Sequence, residues 1–468
     1  MRLLVGKKIK KFIDIWKEKS MRKLIRNFLL KISGKDFQEY YDEIELITNK
    51  EKLLFFRQKY LDGLVQHAYF NVPYYHDLFD KIGIVKNNLV DLSQFERIPV
   101  LTKEIIKKEQ DRLVSKDHTC RRWYHNSTGG STGEPTKFMQ DEDYKKWRNA
   151  TNKYFYQDML KINEADVKKV VLWGSEKDLF EGSIGFKAKV INWAKNTLFL
   201  NSFKMSKENI DHYIKIINSF RPDLIRGYAG SLYHLCGEIE RIGATIYSPK
   251  VITAEAETLT DEMREKIEKV FKRKMYNSYG SRECGYIAGE CSLGSMHTFA
   301  FANYVEIIKN DRKAKEGEEG KVVITSLHNY SMPFIRYEIG DMAVQGADAC
   351  ECGNPLPVLK KITGRIMEHF LKKDGTVVPS EFFIHLVGVV CKAEFIEKFQ
   401  VIQENFDRIK ILVVLRDKID VSRKDEIEDK IKFVMGKDCK IVWEFVKEIP
   451  KTKSGKYLYT KSMVWGQE

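Results

Sequence analysis

The strongest chemical signal in the chain is Ser127-Thr128-Gly129-Gly130-Ser131-Thr132-Gly133-Glu134-Pro135-Thr136-Lys137. Small residues let the backbone approach a ligand closely and turn N–H groups and hydroxyls toward it, which is the cradle a polyphosphate needs. No Gly is followed at the right distance by Gly-Lys-Ser/Thr, so this is not a Walker A loop. Taken alone, the same composition also makes a flexible linker. A second run, Tyr279-Gly280-Ser281-Arg282-Glu283, offers an aromatic ring to stack on a purine and a carboxylate to hold Mg²⁺. Its plainer reading is a strand end with a surface Glu. Arg336-Tyr337-Glu338-Ile339-Gly340-Asp341 places a short acid after Gly, suited to accepting both hydroxyls of a ribose, and Thr363-Gly364-Arg365 adds a guanidinium for the same sugar. Near the end, Pro450-Lys451-Thr452-Lys453-Ser454-Gly455-Lys456 sets a lysine on a Gly turn, either to reach into another domain's site or as a solvated tail.

The eight cysteines read as reduced thiols or metal ligands rather than disulfides in a large chain without an export signal. Cys291 and His297, with Cys350 and Cys352 on a Cys-x-Cys-Gly turn, would complete a Cys₃His tetrahedron for zinc, with Cys284 as a substitute ligand. Four closed ligands make such a metal structural, not catalytic. The alternative is a set of unrelated thiols and a surface His.

These residues need positioning elements, and the pattern supplies them. Lys250-Val251-Ile252-Thr253 reads as a short strand, followed by a helix capped by Thr260, with Asp261 and Glu262 in its first turn. Met263, Ile267, Val270 and Phe271 recur at helical spacing. Residues 206–220 read likewise, with Ser206 as cap and Ile210, Ile214 and Ile217 on one face, leading into a strand at 223–226. This alternation predicts an α/β fold with a mostly parallel sheet. The last hundred residues differ. Strands at 399–402 and 409–415 flank a turn at 404–407; a helix at 422–435 and a strand at 440–446 complete a small α+β domain. The boundary falls near 364–375, giving a leader at 1–35, a large N-terminal domain at 36–364 and a small cap domain at 365–468.

A 43% hydrophobic and 12% aromatic composition is that of a folded globular chain. Nine of its fourteen net positive charges lie in residues 1–31, which set eleven Lys/Arg against Asp14 and Glu18. That leader mixes apolar and basic residues and suits either an anionic membrane surface or a helix packed on the body. It has no apolar run of the length an export signal or a spanning helix requires, so the expected location is cytoplasmic, with peripheral contact at the inner membrane face. With most of the charge concentrated there and no nucleic-acid-reading module in the sequence, nucleic-acid binding is not expected.

In this order and spacing, the Gly/Ser/Thr loop, Tyr-Gly-x-x-Glu, Gly-Asp, Gly-Arg and terminal Ser-Gly-Lys resemble the core motifs of the adenylate-forming superfamily, which includes acyl-coenzyme A synthetases. The resemblance spans residues 125 to 460. Ala256-Glu257-Thr258-Leu259-Thr260, the run 280–285 and Cys350-Glu351-Cys352-Gly353 look like the phenylacetate–coenzyme A ligase group, and within it like members associated with capsular polysaccharide genes. The resemblance implies a large N-terminal domain of several sheets and a mobile C-terminal cap. It also implies ATP, Mg²⁺ and coenzyme A as ligands, a structural zinc in some relatives, and dimers in many.

By the same resemblance, Thr128, Gly129, Gly130, Ser131, Thr132 and Gly133 would bind the β- and γ-phosphates, and backbone around Ala256, Glu257 and Thr258 would line the adenine pocket. Tyr279, on the run with Gly280 and Ser281, would pack on adenine; Glu283 would bind Mg²⁺; Asp341 and Arg365 would hold the ribose; Lys456 would contact the carboxylate and the α-phosphate. A hinge is expected at 364–370. Three departures stand out. Thr136 replaces the usual loop lysine, with Lys137 one place later; Arg282 replaces a Thr, where its guanidinium can serve the phosphate; Ile366-Met367-Glu368-His369 replaces the acids after Gly-Arg. Walls of the acid pocket are expected at 123–125, Gly227, Tyr228 and 253–258.

The leading expectation is acid activation to an acyl-adenylate with transfer to coenzyme A. The alternatives are delivery of that adenylate to a sugar or carrier in surface-polysaccharide synthesis, or a nucleotide-binding protein at the membrane surface that has lost turnover. Losing Lys456 is expected to slow adenylation roughly 10²–10³-fold or more, read by pyrophosphate exchange, because negative groups converge where its charge is needed.

Overall fold

The computed structural model describes residues 36–127, 137–173, 192–202, 207–257, 259–347, 349–363, 370–374, 395–415, 421–449 and 460–464, together with residues 21–22, 24–25, 205, 377–378, 382–383 and 386–387. Most of the leader and the expected hinge lie outside these. Two small hairpins come first, β1 (Val85–Lys86) with β2 (Leu89–Val90), and β3 (Trp123–Ser127) with β4 (Lys137–Asp141). A twelve-stranded sheet follows. Its parallel half contains β5 (Lys169–Trp173), β6 (Thr197–Asn201), β7 (Leu224–Tyr228), β8 (Val251–Glu255) and β9 (Met275–Ser281), in the order β6-β5-β7-β8-β9. Its antiparallel half contains β10 (Gly285–Glu290), β11 (Met296–Thr298), β12 (Asn303–Lys309), β13 (Arg312–Lys313), β14 (Glu319–Ser326), β15 (Tyr337–Gln345) and β16 (Val358–Ile362).

The parallel half forms as its sequence predicts. Helix Asp261–Phe271 is capped by Thr260, whose hydroxyl accepts from Met263 N–H at 3.2 Å, an arrangement worth about 1 kcal/mol. Helix Lys207–Phe220 buries Ile210, Ile214 and Ile217, and these join Ile225, Ile252, Ile267 and Phe271 in one core. The strand order is that of a doubly wound sheet, with its direction of winding reversing between β5 and β7.

At the C-terminus, β17 (Phe370–Leu371) pairs with β18 (Val377–Val378). Beyond them β19 (Ile396–Asn405), β20 (Arg408–Leu415), β21 (Lys440–Phe445) and β22 (Thr460–Ser462) form a four-stranded sheet in the order β21-β20-β19-β22. The expected β-β-α-β succession is present, with helix Val421–Met435 between β20 and β21. Ile409, Ile411 and Val413 alternate inward to meet Ile427 and Ile431, one helical turn apart. The first hairpin is longer than expected: β19 runs on to Asn405, which pairs with Arg408 across an irregular register.

Helix Glu142–Tyr154 lies against the sheet, and Gly289 on β10 admits the ring of Phe155 just beyond its end. A Cβ at Gly289 would stand 2.5 Å from that ring and 3.0 Å from Phe299. Gly289→Ala is therefore expected to destabilise the fold by about 1–3 kcal/mol through overpacking. A denaturation midpoint equal to that of the unaltered protein would refute this.

Candidate active site at the β9–β10 turn

β9 ends in Tyr279-Gly280-Ser281, turns through residues 282–284 and returns as β10 at Gly285. Gly285 has φ +64°, and a Cβ on Gly280 would lie 2.5 Å from the Gly285 carbonyl oxygen, so the turn requires both glycines. Ser281 Oγ accepts from Cys284 N–H at 3.0 Å, so its hydroxyl shapes the turn. Glu283 is 8% exposed, which corrects the plainer reading of a surface carboxylate. Its carbonyl accepts from Tyr144 Oη at 3.1 Å and Gln140 Nε2 at 3.0 Å, and Gln140 also donates to the Arg282 carbonyl at 3.0 Å. Tyr337 Oη donates to Glu283 Oε1 at 3.2 Å. Among the described residues Oε2 takes no hydrogen bond, which suits a cation held through one or two carboxylates.

Tyr279 Oη donates to Asp341 Oδ2 at 2.8 Å, so the residues expected at adenine and at ribose meet directly. Asp341 follows Gly340, at φ +92°, on β15. In the sheet order, three strands separate β15 from β9. Four flat spacings would set them roughly 19 Å apart, so the sheet must curl here to bring the two side chains together. Ala256, just past β8, adopts φ +68°, a strained conformation for a non-glycine residue and of the kind that collects at ligand sites. The Glu257 carboxylate accepts from Gly230 N–H at 2.6 Å, at the N-terminus of helix Ala229–Arg241. Through that bond the side chain serves the helix.

A second group stands where the winding reverses, beyond the C-terminal ends of β5 and β7, the usual place for a ligand in such sheets. Trp173 and Tyr228 stack with centroids 4.3 Å apart. Beside them Arg226 pairs with Glu255 through both Nε and Nη2, the latter at 2.9 Å, and Nη2 also reaches Tyr286 Oη at 3.0 Å. Burial works against the Arg226 charge, but the Glu255 carboxylate, together with Tyr286 and Tyr156, outweighs it and holds the pKa well above its ordinary value. Burial likewise raises the Tyr286 hydroxyl. Helix Glu142–Tyr154 passes into a wider turn at Phe155–Met159, and Tyr156 Oη meets Thr253 Oγ1 at 3.1 Å on the same face. Sequence reasoning marked Gly227, Tyr228 and 253–258 but missed Trp173 and Arg226. A charged residue in an otherwise apolar parallel strand, Leu224-Ile225-Arg226, was the available signal. Of the expected wall at 123–125, Trp123 is 37% exposed and edge-on to His118 and His125; the described tie between β3 and the turn runs through Asn126.

The four metal-ligand candidates come together. One ligand atom each of Cys291, His297, Cys350 and Cys352 lies within 4.8 Å of all the others. His297 Nδ1 faces the Leu356 carbonyl at 2.8 Å, which points Nε2 at Cys352 Sγ, 3.3 Å away. Cys291 Sγ and Cys350 Sγ are 4.0 Å apart, near the roughly 3.8 Å that a tetrahedron with Zn–S of about 2.3 Å requires. The donor set fits zinc. Cys284 does not join it: the thiol is packed in the core with Ile287 and Met296, and burial raises its pKa. Cys291 follows the far end of β10 from Glu283, roughly 20 Å along the strand, so this cluster stands apart from the turn.

Thr128, Gly129, Gly130, Ser131, Thr132, Gly133, Thr258, Arg365 and Lys456 lie outside the described residues.

The doubly wound half curling into antiparallel strands, followed along the chain by a β-β-α-β domain, is a fold the chain shares with solved CoA ligases. Comparison with known proteins agrees. Residues 370–463 match the CapK C-terminal domain. The chain is 26% identical over 464 residues to Protein CapK of Staphylococcus aureus, covering 92% of this chain and 96% of that one. It is 22% identical over 387 residues to a phenylacetate-coenzyme A ligase of Thermus thermophilus, covering 78% and 80%. In fold it resembles 2-hydroxyisobutyryl-CoA ligase in complex with 2-HIB-AMP and CoA, with TM-score 0.58, 19% identity and coverage of 89% and 90%. The chain's likeness is thus both to Protein CapK and to phenylacetate-coenzyme A ligases.

Proposed function

We propose that the protein activates a carboxylic acid with ATP and passes the acyl group to the thiol of coenzyme A. A carboxylate oxygen attacks the α-phosphorus, the bond to pyrophosphate breaks, and an acyl-adenylate forms. The thiol then attacks the acyl carbonyl, and AMP leaves. The observation that carries this reading is that the curled sheet joins the run 279–283 to β15 twice, Tyr279 to Asp341 and Glu283 to Tyr337. Tyr279 would flank the adenine and Asp341 would accept the ribose hydroxyls with Arg365. Residues 128–133 would cradle the phosphates. Glu283 would hold Mg²⁺, whose charge is needed where the phosphates converge. Lys456, with Arg282 nearby, would supply positive charge as the adenylate forms.

The acid would lie along the Trp173–Tyr228 stack, with Arg226 as its polar contact. Because Glu255 neutralises Arg226, this wall suits a hydrogen-bond acceptor on the acid rather than a second carboxylate. Cys291, His297, Cys350 and Cys352 would hold a structural zinc. The likeness to CapK favours a second reading, in which the adenylate is delivered to a sugar or carrier during capsular polysaccharide synthesis. No helix among the described residues is long and apolar enough to cross a membrane; the basic leader would bring the enzyme to the inner membrane face from the cytoplasm.

A pyrophosphate-exchange screen over aryl, fatty, amino and sugar acids should find at least one that supports exchange; silence across all four classes would sink the ligase reading. With that acid, AMP release that depends on coenzyme A separates the first reading from the second. Arg226→Leu is expected to reorder the acids by about tenfold while leaving the ATP requirement unchanged. An unaltered ranking would remove Arg226 from the pocket. Metal analysis should return one zinc per chain, and stripping it should lower the melting temperature; a substoichiometric zinc content would count against the site.

A further inference from the structure

β3 and β4 pair along their whole length, from Trp123 with Asp141 to Ser127 with Lys137, and one side chain ties this hairpin to the β9–β10 turn. Tyr124 pairs with Gln140 across the hairpin, and Asn126, two residues on, shares their face. Gln140 is fully buried. Asn126 Nδ2 donates to Gln140 Oε1 at 3.0 Å, and Gln140 Nε2 donates to the carbonyls of Arg282 and Glu283, each at 3.0 Å. A side-chain amide has two N–H donors, and here both are spent on consecutive carbonyls of the β9–β10 turn. The reverse orientation would turn the amide oxygen toward those carbonyls, so the network admits one arrangement.

We propose that Gln140 is a positioning residue: it locks the β3–β4 hairpin to the backbone of Arg282 and Glu283, so that the carboxylate proposed to hold Mg²⁺ is presented from a fixed turn. This rests on the ligase reading above. Neither Gln140 nor Asn126 has a charge to offer a ligand, and Gln140 has no spare donor. Its influence must therefore pass through the Glu283 backbone to a carboxylate that Tyr337 holds from the other side. Tyr144, on the helix that begins directly after β4, adds a third tie from the same segment to the Glu283 carbonyl.

Gln140→Met keeps the length of the side chain and removes both donors. In pyrophosphate exchange, the Mg²⁺ concentration giving half-maximal rate is expected to rise about tenfold, the size of effect that lost buried hydrogen bonds carry, with the acid KM unchanged. Asn126→Ala, which leaves the carbonyl contacts but frees the amide, should shift the same quantity in the same direction and by less. It serves as the test if Gln140→Met fails to fold. A folded, active variant with a lower melting temperature but an unchanged Mg²⁺ titration would overturn the positioning role and show packing alone. Absence of exchange in the unaltered protein would instead overturn the ligase reading on which this depends.

Discussion

The hydrogen bond between Tyr279 and Asp341 joins strands that three others separate in the sheet. It can form only because β10, β11, β16 and β15 turn away from the plane of the parallel half. A second bond, Tyr337 to Glu283, spans the same gap. Everything that makes this region a site follows from that curvature. It brings Tyr279 to Asp341 and Glu283 to Tyr337, although the sequence scatters them over sixty residues.

Burying Glu283 is costly unless something answers its charge. Tyr337 supplies one neutral hydrogen bond, and the surrounding ties from Gln140 and Tyr144 go to the backbone carbonyl, leaving the carboxylate without a cation among the described residues. A structural carboxylate at this depth would ordinarily be paired, as Glu306 is with Arg336 and Glu255 with Arg226. Glu306 and Glu255 have a guanidinium each, and Asp141, buried with no ion pair among the described residues, accepts from the Tyr330 and Ser331 N–H groups and the Ser331 hydroxyl. The Glu283 carboxylate takes one neutral hydrogen bond, which fits the proposed Mg²⁺ ligand.

The parallel half and the C-terminal β-β-α-β unit were legible in the sequence because each buries one face per element, and that writes the period of helix or strand into the residues. Ile210, Ile214 and Ile217 on one helix, and Ile409, Ile411 and Val413 on one strand, are plain cases. The curl was not legible. β11 spans only Met296–Thr298, all three buried, too short to show alternation. In β14, Val322, Val323, Ile324, Thr325 and Ser326 are all buried, so both faces are covered and no period appears. The four metal-ligand candidates were found from residue type and spacing, while the Trp173–Tyr228 stack was half missed because stacking across parallel strands depends on register, which sequence spacing does not carry. Gln140 was missed for a similar reason: its partners lie over 140 residues away.

The thiol–imidazole cluster gains its significance from the same curvature. Cys291 follows β10, His297 sits on β11, and Cys350 and Cys352 precede β16. Those three strands are the ones that connect β9 to β15, and the link through β11 rests on few pairings: three to β10 and two to β16. So short a ladder can do little by itself to fix the angle between its neighbours. Four ligands closing on one ion would tie these three strands together at a single point, with the imidazole already oriented by the Leu356 carbonyl. The cluster is too distant for chemistry at the turn. Its place in the fold is nonetheless where a fixed angle decides whether Tyr279 reaches Asp341.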